Sequence, residues 1–379
     1  MKLSRSSLLL VISIVVLATS TGIVTASLQQ AIDASEDGYL IIMSGGTWNE
    51  NVVIDDKDLT IMGSGAGETI INGDTSGDGT GDGSVISNYI GDITLKGMTI
   101  TNGNSDYGGG IYNSDGGAVT IKDCSITENS AWYDGGGIYN YDGLVTIEGS
   151  SITKNSASSY GGGIYTGDDG TTKIEDSLFK GNAADDSGGG IFNSGSLTME
   201  DVSVIGNTAS GDGGGIENRG MGIMKMKNIF VAMNTAEGWY GGGISNDGTA
   251  TIEDSLVTGN YAGTQGGGID NDGFLIVKDC SIIKNSAFNY AGGISGNLNS
   301  ITIIMDSSIS RNTAGDDGGG IYNYYGTVNL MDTSITNNTA SDYGGGIYNN
   351  HGTLIMNSDS LIQMNTAGIT GGGIYNEGG

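Results

Sequence analysis

The chain has 379 residues, of which 71 are glycine and none is proline, and its formal net charge at neutral pH is −29. This acidity argues against nucleic acid as a partner, because the nucleic-acid backbone is itself anionic. Glycine-rich disordered chains are usually rich in proline and poor in isoleucine and valine, so the composition favours an ordered protein with many turns.

The first 26 residues have the organisation of a secretory signal peptide. Lys2 and Arg5 precede an apolar run over residues 8–18, and small residues follow up to Ala26. An uncleaved membrane anchor is the alternative, although several serines and threonines make residues 8–26 a poor span. No later segment is apolar enough to cross a bilayer. We therefore predict an exported protein, extracellular or at the cell surface, with no membrane span beyond the signal peptide.

Residues 27–100 are predicted to contain an N-terminal cap and the first coils of a repeat domain. The segment SLQQAIDAS, residues 27–35, predicts a short amphipathic helix with Leu28, Ala31 and Ile32 on one side. Such a helix can cover the open end of a repeat domain.

A glycine-rich loop, GDTSGDGTGDG, carries three regularly spaced aspartates, Asp74, Asp78 and Asp82. This spacing is a weak candidate for a calcium loop, and calcium is the one cofactor that the sequence brings into question. It matches no EF-hand or nonapeptide template, so an acidic loop between two coils is the alternative that we favour.

From residue 101 to residue 379 the chain repeats itself. An isoleucine follows a glycine-rich run in eleven places, at intervals of 25 to 28 residues: Ile111, Ile138, Ile164, Ile191, Ile216, Ile244, Ile269, Ile294, Ile321, Ile347 and Ile374. An Asn-x-Ala motif precedes ten of these isoleucines, with its asparagine at Asn129, Asn155, Asn182, Asn207, Asn234, Asn260, Asn285, Asn312, Asn338 and Asn365.

This period predicts an all-β, right-handed parallel β-helix of about 13 coils of about 26 residues. The repeat shows short alternating runs and no helical periodicity, which predicts three short strands and three turns per coil. A propeller blade would need a longer repeat. The absence of proline is consistent with strands that lie almost entirely inside a hydrogen-bonded ladder.

GGGI together with Phe179-Lys-Gly-Asn182, written elsewhere as Ile/Val-x-x-Asn, resembles the GGA-I and F-x-x-N repeats of polymorphic outer membrane proteins. These are surface adhesins of the pectin-lyase-like β-helix class. The resemblance covers about residues 100–379, with Gly for Ala and Ile for Phe as departures and no C-terminal autotransporter barrel. Residues 45–73 resemble the opening coils of pectin-lyase-like proteins. The resemblance implies a surface structural or adhesin-like protein, with glycans or surface proteins as partners.

An acidic column stands six residues before the repeat asparagine. It consists of Asp123, Asp176, Asp201, Asp254, Asp279, Asp306, Asp332 and Asp359, with Gly149 and Asn228 in the two remaining repeats. A stack of carboxylates could attract cations, but glycine binds none, whereas all three residue types tolerate left-handed turns. We therefore interpret this column as a turn.

The residue after the repeat isoleucine is expected to point outward, and it is aromatic in two groups of coils. We take this exposed row as the candidate binding surface: Tyr112, Tyr139, Tyr165, Phe192, Tyr322, Tyr348 and Tyr375. Exposed aromatic rings can stack on sugars or anchor a protein partner. The alternative is that the tyrosines simply pack on their neighbours above and below.

No catalytic motif is recognisable, so we expect a protein that is not an enzyme; the alternative is a polysaccharide-active enzyme of pectin-lyase type. An active site would appear as a break in the repeat. The clearest breaks are residues 216–234, with Glu217, Arg219, Lys225 and Lys227, and residues 291–300. Drift within the repeat explains both more simply. The single histidine, His351, is expected in a surface turn.

Two further features concern Cys124, Cys280 and the end of the chain. The two cysteines occupy the same repeat position six coils apart, roughly 29 Å, so they are predicted to be free thiols. The sequence stops within a coil, at GGGIYNEGG. Since solenoids need a cap over the last coil, we expect that the sequence is truncated.

Overall fold

A computed structural model describes residues 14–17 and 27–378. These residues form the predicted right-handed parallel β-helix, with about 13 coils of roughly 26 residues and one short helix near the N-terminus. Each full coil passes through four parallel sheets, which we number 1 to 4 in chain order. The predicted signal peptide lies outside the described residues except for a strand at Ile14–Leu17, which pairs with Tyr39–Met43 at the start of sheet 1.

Sheet 1 has fourteen strands, mostly of five residues, whose buried and outward positions alternate. They are Ile14–Leu17, Tyr39–Met43, Leu59–Met62, Asp92–Lys96, Ala118–Lys122, Leu144–Glu148, Thr171–Glu175, Ser196–Glu200, Ile223–Lys227, Thr249–Glu253, Phe274–Lys278, Ile301–Met305, Thr327–Met331 and Thr353–Met356.

Sheet 2 has thirteen strands, most of which contain one buried residue between two outward ones. They are Gly46–Asn49, Thr69–Asn72, Thr99–Thr101, Ser125–Thr127, Ser151–Thr153, Leu178–Lys180, Ser203–Ile205, Phe230–Ala232, Leu256–Thr258, Ser281–Ile283, Ser308–Ser310, Ser334–Thr336 and Leu361–Gln363.

The prediction of three strands per coil is wrong, because sheet 3 adds a fourth strand to most coils. The two residues that follow each of the ten repeat asparagines, together with Asn104–Ser105 in the coil before them, pair with their equivalents in neighbouring coils and form this additional sheet of eleven very short strands. They are Asn104–Ser105, Ser130–Ala131, Ser156–Ala157, Ala183–Ala184, Thr208–Ala209, Thr235–Ala236, Tyr261–Ala262, Ser286–Ala287, Thr313–Ala314, Thr339–Ala340 and Thr366–Ala367.

Sheet 4 has thirteen strands, and from Ile111 onward each begins at the repeat isoleucine. They are Val52–Asp55, Ile86–Tyr89, Ile111–Ser114, Ile138–Asn140, Ile164–Thr166, Ile191–Asn193, Ile216–Asn218, Ile244–Asn246, Ile269–Asn271, Ile294–Gly296, Ile321–Tyr324, Ile347–Asn350 and Ile374–Glu377.

The core consists of like residues stacked in register. Ile111 pairs with Ile138 and Ile138 with Ile164, and all three side chains are fully buried. Each such side chain stabilises the fold by roughly 1.5–3 kcal/mol. Ala131 pairs with Ala157 in the same way. The stacking that the period predicts is therefore confirmed.

The glycine run before each isoleucine is a tight corner of the backbone, and the run before Ile138 is an example. Gly135 adopts a left-handed conformation with φ of 68°. A Cβ on Gly136 would lie 2.2 Å from the carbonyl oxygen of Ser156 in the next coil. The corner thus needs glycine both for its backbone conformation and because neighbouring coils approach closely.

Two asparagine ladders run along the β-helix. The first is formed by the Asn-x-Ala asparagines. Asn129 Nδ2 donates to Asn155 Oδ1 in the next coil at 3.0 Å and to the backbone carbonyl oxygen of Ile100 in the preceding coil at 3.1 Å. The backbone N–H of Asn129 also donates to Asn155 Oδ1. Buried amides whose donors and acceptors are paired in this way fix the register of successive coils.

The second ladder stands two residues after the repeat isoleucine. Asn193 Nδ2 donates to Asn218 Oδ1 at 2.7 Å, and the pattern continues along the column. Thr166 and Gly296 interrupt it. The Oδ1 atoms of Asn193 and Asn323, which follow these two interruptions, are buried and have no hydrogen-bond partner. Each interruption therefore leaves one acceptor unsatisfied.

The N-terminal helix spans Leu28–Ala34 and buries Leu28, Ala31 and Ile32, as the sequence predicts. Ser27 is its N-cap, and the carboxylate of Glu50 accepts hydrogen bonds from the first backbone N–H groups. Lys57 Nζ donates to three carbonyl groups at the C-terminal end. Both ends of this short helix are thus paired with the β-helix.

The acidic column is a turn, as interpreted from the sequence. Seven of its eight aspartates have positive φ angles, between 47° and 55°, and the φ angles of Gly149 and Asn228 are 56° and 52°. Asp359 does not adopt this conformation.

Cys124 and Cys280 are buried free thiols, and burial raises the pKa of both to about 11.

Candidate binding face

The aromatic row lies on the outer side of sheet 4, outside the main core. Tyr112, Tyr139 and Tyr165 stack with ring centroids 5.5 and 5.0 Å apart, and Tyr322 stacks on Tyr348 at 5.3 Å. The prediction that the row is exposed is wrong for four of its members. The accessible fraction is 8% or less for Tyr139, Phe192, Tyr322 and Tyr348, while Tyr112, Tyr165 and Tyr375 are partly buried.

A second layer of side chains covers the row. The residue before the glycine run of one coil lies over the row position of the next coil, as Tyr107 does over Tyr139 at 4.9 Å and Tyr290 over Tyr322 at 4.8 Å. Burial raises the pKa of Tyr322 to about 12, and the same is true of Tyr165. The rings of the row therefore support one another and do not themselves form a free surface.

The exposed aromatic rings stand along the two borders of sheet 4. One group lies in the loops that lead into the glycine run: Trp132, Tyr133, Trp239 and Phe288. The other lies at the end of a sheet 4 strand and in the turns that follow the sheet: Tyr324, Tyr141 and Tyr325. Sequence reasoning missed the second group. The strand alternation could have found it, because Tyr141 and Tyr324 stand two residues after row positions and so face the same side.

Four consecutive coils interrupt the aromatic row with polar residues, which we call the polar window. In register, Phe192 is followed by Glu217, Ser245, Asp270 and Ser295 before the tyrosines resume. The two breaks in the repeat, residues 216–234 and residues 291–300, supply the first and last coils of this window. Although distant in sequence, they lie only three coils apart on one face.

Two carboxyl groups of the window are buried and sit among others. The accessible fraction of Glu217 and Asp270 is 1% each. Burial raises the pKa of Glu217 well above its usual value, and Asp247 adds to the effect; burial and Asp272 do the same for Asp270. The pKa values of Asp247 and Asp212 are raised as well, first by burial. None of these carboxylates takes part in an ion pair within the described residues.

The two buried carboxyl groups have different surroundings. Asp270 accepts hydrogen bonds from Asn297 Nδ2 at 3.2 Å and from Gln265 Nε2 at 3.2 Å. Glu217 Oε2 is buried without a hydrogen-bond partner. Arg219 lies nearby, with its guanidinium carbon 5.6 Å from the centre of the Tyr160 ring.

The sheet 4 face, meaning sheet 4 with the loops before it and the turns after it, has a one-sided charge. Between residues 106 and 378 it contains eighteen aspartates and glutamates and one cationic residue, Arg219. The lysines lie on other faces, where several pair with carboxylates, as Lys122 does with Glu148 at 2.8 Å. This separation of charge was not apparent from the overall composition.

The remaining candidates lie away from the window. Lys225 and Lys227 are on sheet 1, so the structure does not bring them to Glu217. Asp82 Oδ2 accepts hydrogen bonds from the loop's own Thr75 and Ser76, and Asp74 accepts from Gly77 and Gly79.

No group of three or more His, Cys, Asp or Glu side chains within the described residues is arranged to hold a metal ion. His351 stacks on Tyr325 in a surface turn, with centroids 5.0 Å apart.

Comparisons with known proteins agree with this architecture. The profile described as "Right handed beta helix region" matches residues 109–273, and the Chlamydia polymorphic membrane protein repeat matches residues 306–324 and 332–350. The comparison with curated protein sequences yields no match. Across residues 14–17 and 27–378, no helix has the length and hydrophobicity needed to cross a membrane.

Two solved structures are similar to the chain. The A-module of mannuronan C-5 epimerase AlgE6 from Azotobacter vinelandii is 13% identical, with a TM-score of 0.50, over 89% of this chain and 93% of that one. Pectate lyase Pel9A is 14% identical, with a TM-score of 0.40, over 92% of this chain and 79% of that one. At such low identity the similarity concerns the fold alone.

Proposed function

This chain is a right-handed parallel β-helix with polymorphic membrane protein repeats, and from that premise we propose that it is an exported, adhesin-like surface protein. The β-helix serves as a rigid stalk, and the sheet 4 face is its binding face. One observation carries the proposal: exposed aromatic rings and nearly uncompensated acidic side chains are concentrated on the same face.

The architecture of this face suits recognition. The buried row of stacked rings and the asparagine ladders form a rigid base, so the loops and turns at its borders are held in place. Trp132 and Tyr133 are 65% and 51% exposed on one border, and Tyr141 is 55% exposed on the other. Flat rings with a polar edge, held by a rigid support, are suited to contact a sugar ring or a protein surface.

The charge of the face restricts its partners. Eighteen carboxyl groups against one guanidinium produce a negative potential that repels anionic polymers and attracts cationic ones. We therefore expect a neutral or positively charged partner, and acidic polysaccharides are unfavourable ligands.

The binding face is tested with a triple variant, Trp132→Ser/Tyr133→Ser/Tyr141→Ser. Its binding to arrays of neutral glycans and of surface proteins is compared with that of the unmodified chain. Because these rings are exposed, their removal should weaken binding at least tenfold without unfolding the protein. A matched control, Phe230→Ser/Tyr261→Ser, removes exposed rings from sheets 2 and 3 and should bind normally. Unchanged binding by the triple variant would remove this face from consideration.

A polysaccharide-active enzyme is the second candidate, and the polar window is the observation that favours it. Glu217 and Asp270 are two coils apart, roughly 10 Å by strand spacing, close to the separation of the two carboxyl groups in inverting glycosidases. Both are buried, however, and Asp270 is already hydrogen-bonded to Gln265 and Asn297. We therefore propose a protein without catalytic activity.

An assay on acidic and neutral glycans, with and without calcium, separates the two candidates. We expect no turnover under any of these conditions. Turnover that disappears in a Glu217→Gln variant would instead establish the polar window as an active site.

A further inference from the structure

We infer that the polar window binds an arginine side chain of a partner protein, with the guanidinium group between Tyr240 and Asp272. The inference rests on the proposed function, because it assigns the chemistry of the partner that the same face recognises. It starts from the charge of the window, continues with an internal arginine that shows how such a group is accommodated, and ends with the shape of the site.

The window contains more carboxyl groups than cations, since the nearby Arg219 is the one described cation of the sheet 4 face. Five carboxyl groups, of Asp212, Glu217, Asp247, Asp270 and Asp272, lie within four coils, and none is in an ion pair in the part of the chain that is described. Asp247 and Asp272 are exposed at the rim. Below them, Glu217 Oε2 is buried and lacks a hydrogen-bond donor. An external donor with positive charge would pair with the two exposed carboxylates at the rim.

Arg219 provides an internal example of such a donor. Its guanidinium lies over the ring of Tyr160, which belongs to the coil two positions earlier. The same relation three coils further along the β-helix joins Tyr240 to residue 297, which is an asparagine. The face therefore repeats the tyrosine there and places Asp272 beside it, but asparagine stands where the cation would be.

An open pocket of about 520 Å³ occupies this second position. Its lining consists of Tyr240, Gln265, Asp272, Asn297, Leu298 and Tyr324. A guanidinium can stack on Tyr240 and donate to Asp272, while the aliphatic part of an arginine side chain lies against Leu298. The pocket thus offers one surface for each part of that side chain.

The arrangement favours a guanidinium over an ammonium group or a metal ion. Asp247 and Asp272 are on adjacent coils, about 4.8 Å apart along the ladder, and the planar guanidinium with its five N–H donors can reach both. An ammonium group is a compact point charge and gains less from the ring and from two separated acceptors. Among the described residues, no three carboxylates converge closely enough for a metal ion.

The test uses the full chain and a pentapeptide probe, acetyl-Gly-Gly-Arg-Gly-Gly-amide, whose binding at 0.15 M salt is measured by NMR. Matched peptides carry lysine or citrulline in place of arginine. We expect the lysine peptide to bind at least threefold more weakly and the citrulline peptide to show no binding. In an Asp247→Asn/Asp272→Asn variant, the arginine peptide should bind at least fivefold more weakly.

The control variant, Asp254→Asn/Asp279→Asn, removes the same charge from two adjacent coils on the opposite side of the β-helix. Asparagine fits that column, since Asn228 occupies it naturally, and binding should change by less than twofold.

Equal losses in both variants would mean that only overall charge matters, and equal binding of the lysine peptide would remove the guanidinium site. Displacement of the peptide by millimolar calcium would assign the window to a metal. All three outcomes contradict the proposal.

The experiment also separates this inference from the proposed function. The Trp132→Ser/Tyr133→Ser/Tyr141→Ser variant should lose its surface partner but still bind the arginine peptide, because its substitutions lie outside the polar window. Loss of peptide binding only in the window variant supports the inference, whatever the arrays show.

Discussion

The aromatic stretches and the polar window of the same row show how one backbone can carry two kinds of chemistry. In both regions sheet 4 has the same register and the same buried isoleucines. The outward position after the isoleucine differs: Tyr139 and its neighbours form a closed stack of rings, whereas Glu217 and Asp270 bring buried carboxyl groups to the same place.

The two regions differ in whether their outward side chains find partners within the chain. In the aromatic stretches each ring finds its partners in the coils above, below and over it, so the stretch is complete without a ligand. In the polar window the row positions Glu217, Ser245, Asp270 and Ser295 are buried as well, but no described cation forms an ion pair with the carboxyl groups of the window. The aromatic stretches therefore stabilise the β-helix, while the window is available for recognition.

The largest effect is expected where a ring is removed from an aromatic stretch. Tyr139→Ala removes contacts with Tyr107, Tyr112 and Tyr165 and leaves a cavity beneath the covering layer. We expect the free energy of unfolding, measured with urea, to fall by about 3 kcal/mol. Tyr141→Ala removes an exposed ring and should cost less than about 1 kcal/mol. Equal effects of the two substitutions would show that the row does not support the fold.

The fold could be predicted from the sequence because spacing alone determines it. A period of about 26 residues, an invariant isoleucine and the absence of proline leave few architectures other than the parallel β-helix. The exposure of the row could not be predicted in the same way. The residues that cover it, such as Tyr107 and Tyr290, belong to the variable loops, and only the structure shows that they fold back over the next coil.

The polar window shows a second limit of sequence reasoning. Glu217 and the segment from residue 291 to residue 300 stand out as separate irregularities, each of which is explained by drift when it is considered alone. Asp270 did not stand out, because aspartate is common throughout the chain. Alignment of successive coils in space brings these residues into one column and shows that the irregularities are adjacent.

An intermediate effect is expected when the buried, titratable carboxyl group of Glu217 is replaced. The pKa of Glu217 is raised, so between its ordinary value of 4.5 and its higher value in the folded state the folded protein holds a proton that the unfolded chain has lost. Stability attributable to Glu217 therefore falls as pH rises through that interval. Glu217→Gln should raise the free energy of unfolding at pH 7 by about 2 kcal/mol and should have little effect near pH 4.

The measurement is a series of urea titrations between pH 4 and pH 8. Glu237→Gln replaces an exposed carboxylate on the same face and should leave the pH profile unchanged. Since the pKa of Asp270 is raised in the same direction, the Glu217→Gln profile should be flatter than that of the unmodified chain without becoming level. A Glu217→Gln protein that is less stable at pH 7 would mean that Glu217 is ionised and paired in the folded state.

The smallest effect concerns the second asparagine ladder, the one that stands two residues after the repeat isoleucine. The last coil of the polar window interrupts this ladder at Gly296. The Oδ1 atom of Asn323 is left without a donor, and a Cβ on Gly296 would lie 3.5 Å from it, in ordinary contact. The backbone of Gly296 is not left-handed, and the atom nearest to an added Cβ is Ser300 Oγ at 3.3 Å, so a side chain fits there once that hydroxyl shifts by a few tenths of an ångström. Gly296→Asn would place Nδ2 near Asn323 Oδ1 and reconnect the ladder.

We expect Gly296→Asn to stabilise the protein by about 1 kcal/mol beyond Gly296→Ala, the value of one hydrogen bond to a buried acceptor. The alanine variant is the control, because it shares the lost flexibility of the unfolded chain but adds no amide. Thermal unfolding of the two variants under identical conditions gives the difference. If they unfold at the same temperature, the unsatisfied oxygen of Asn323 costs nothing, and the interruption of the ladder is neutral for stability. A higher unfolding temperature for the asparagine variant would mean that the window weakens the β-helix locally where it departs from the repeat.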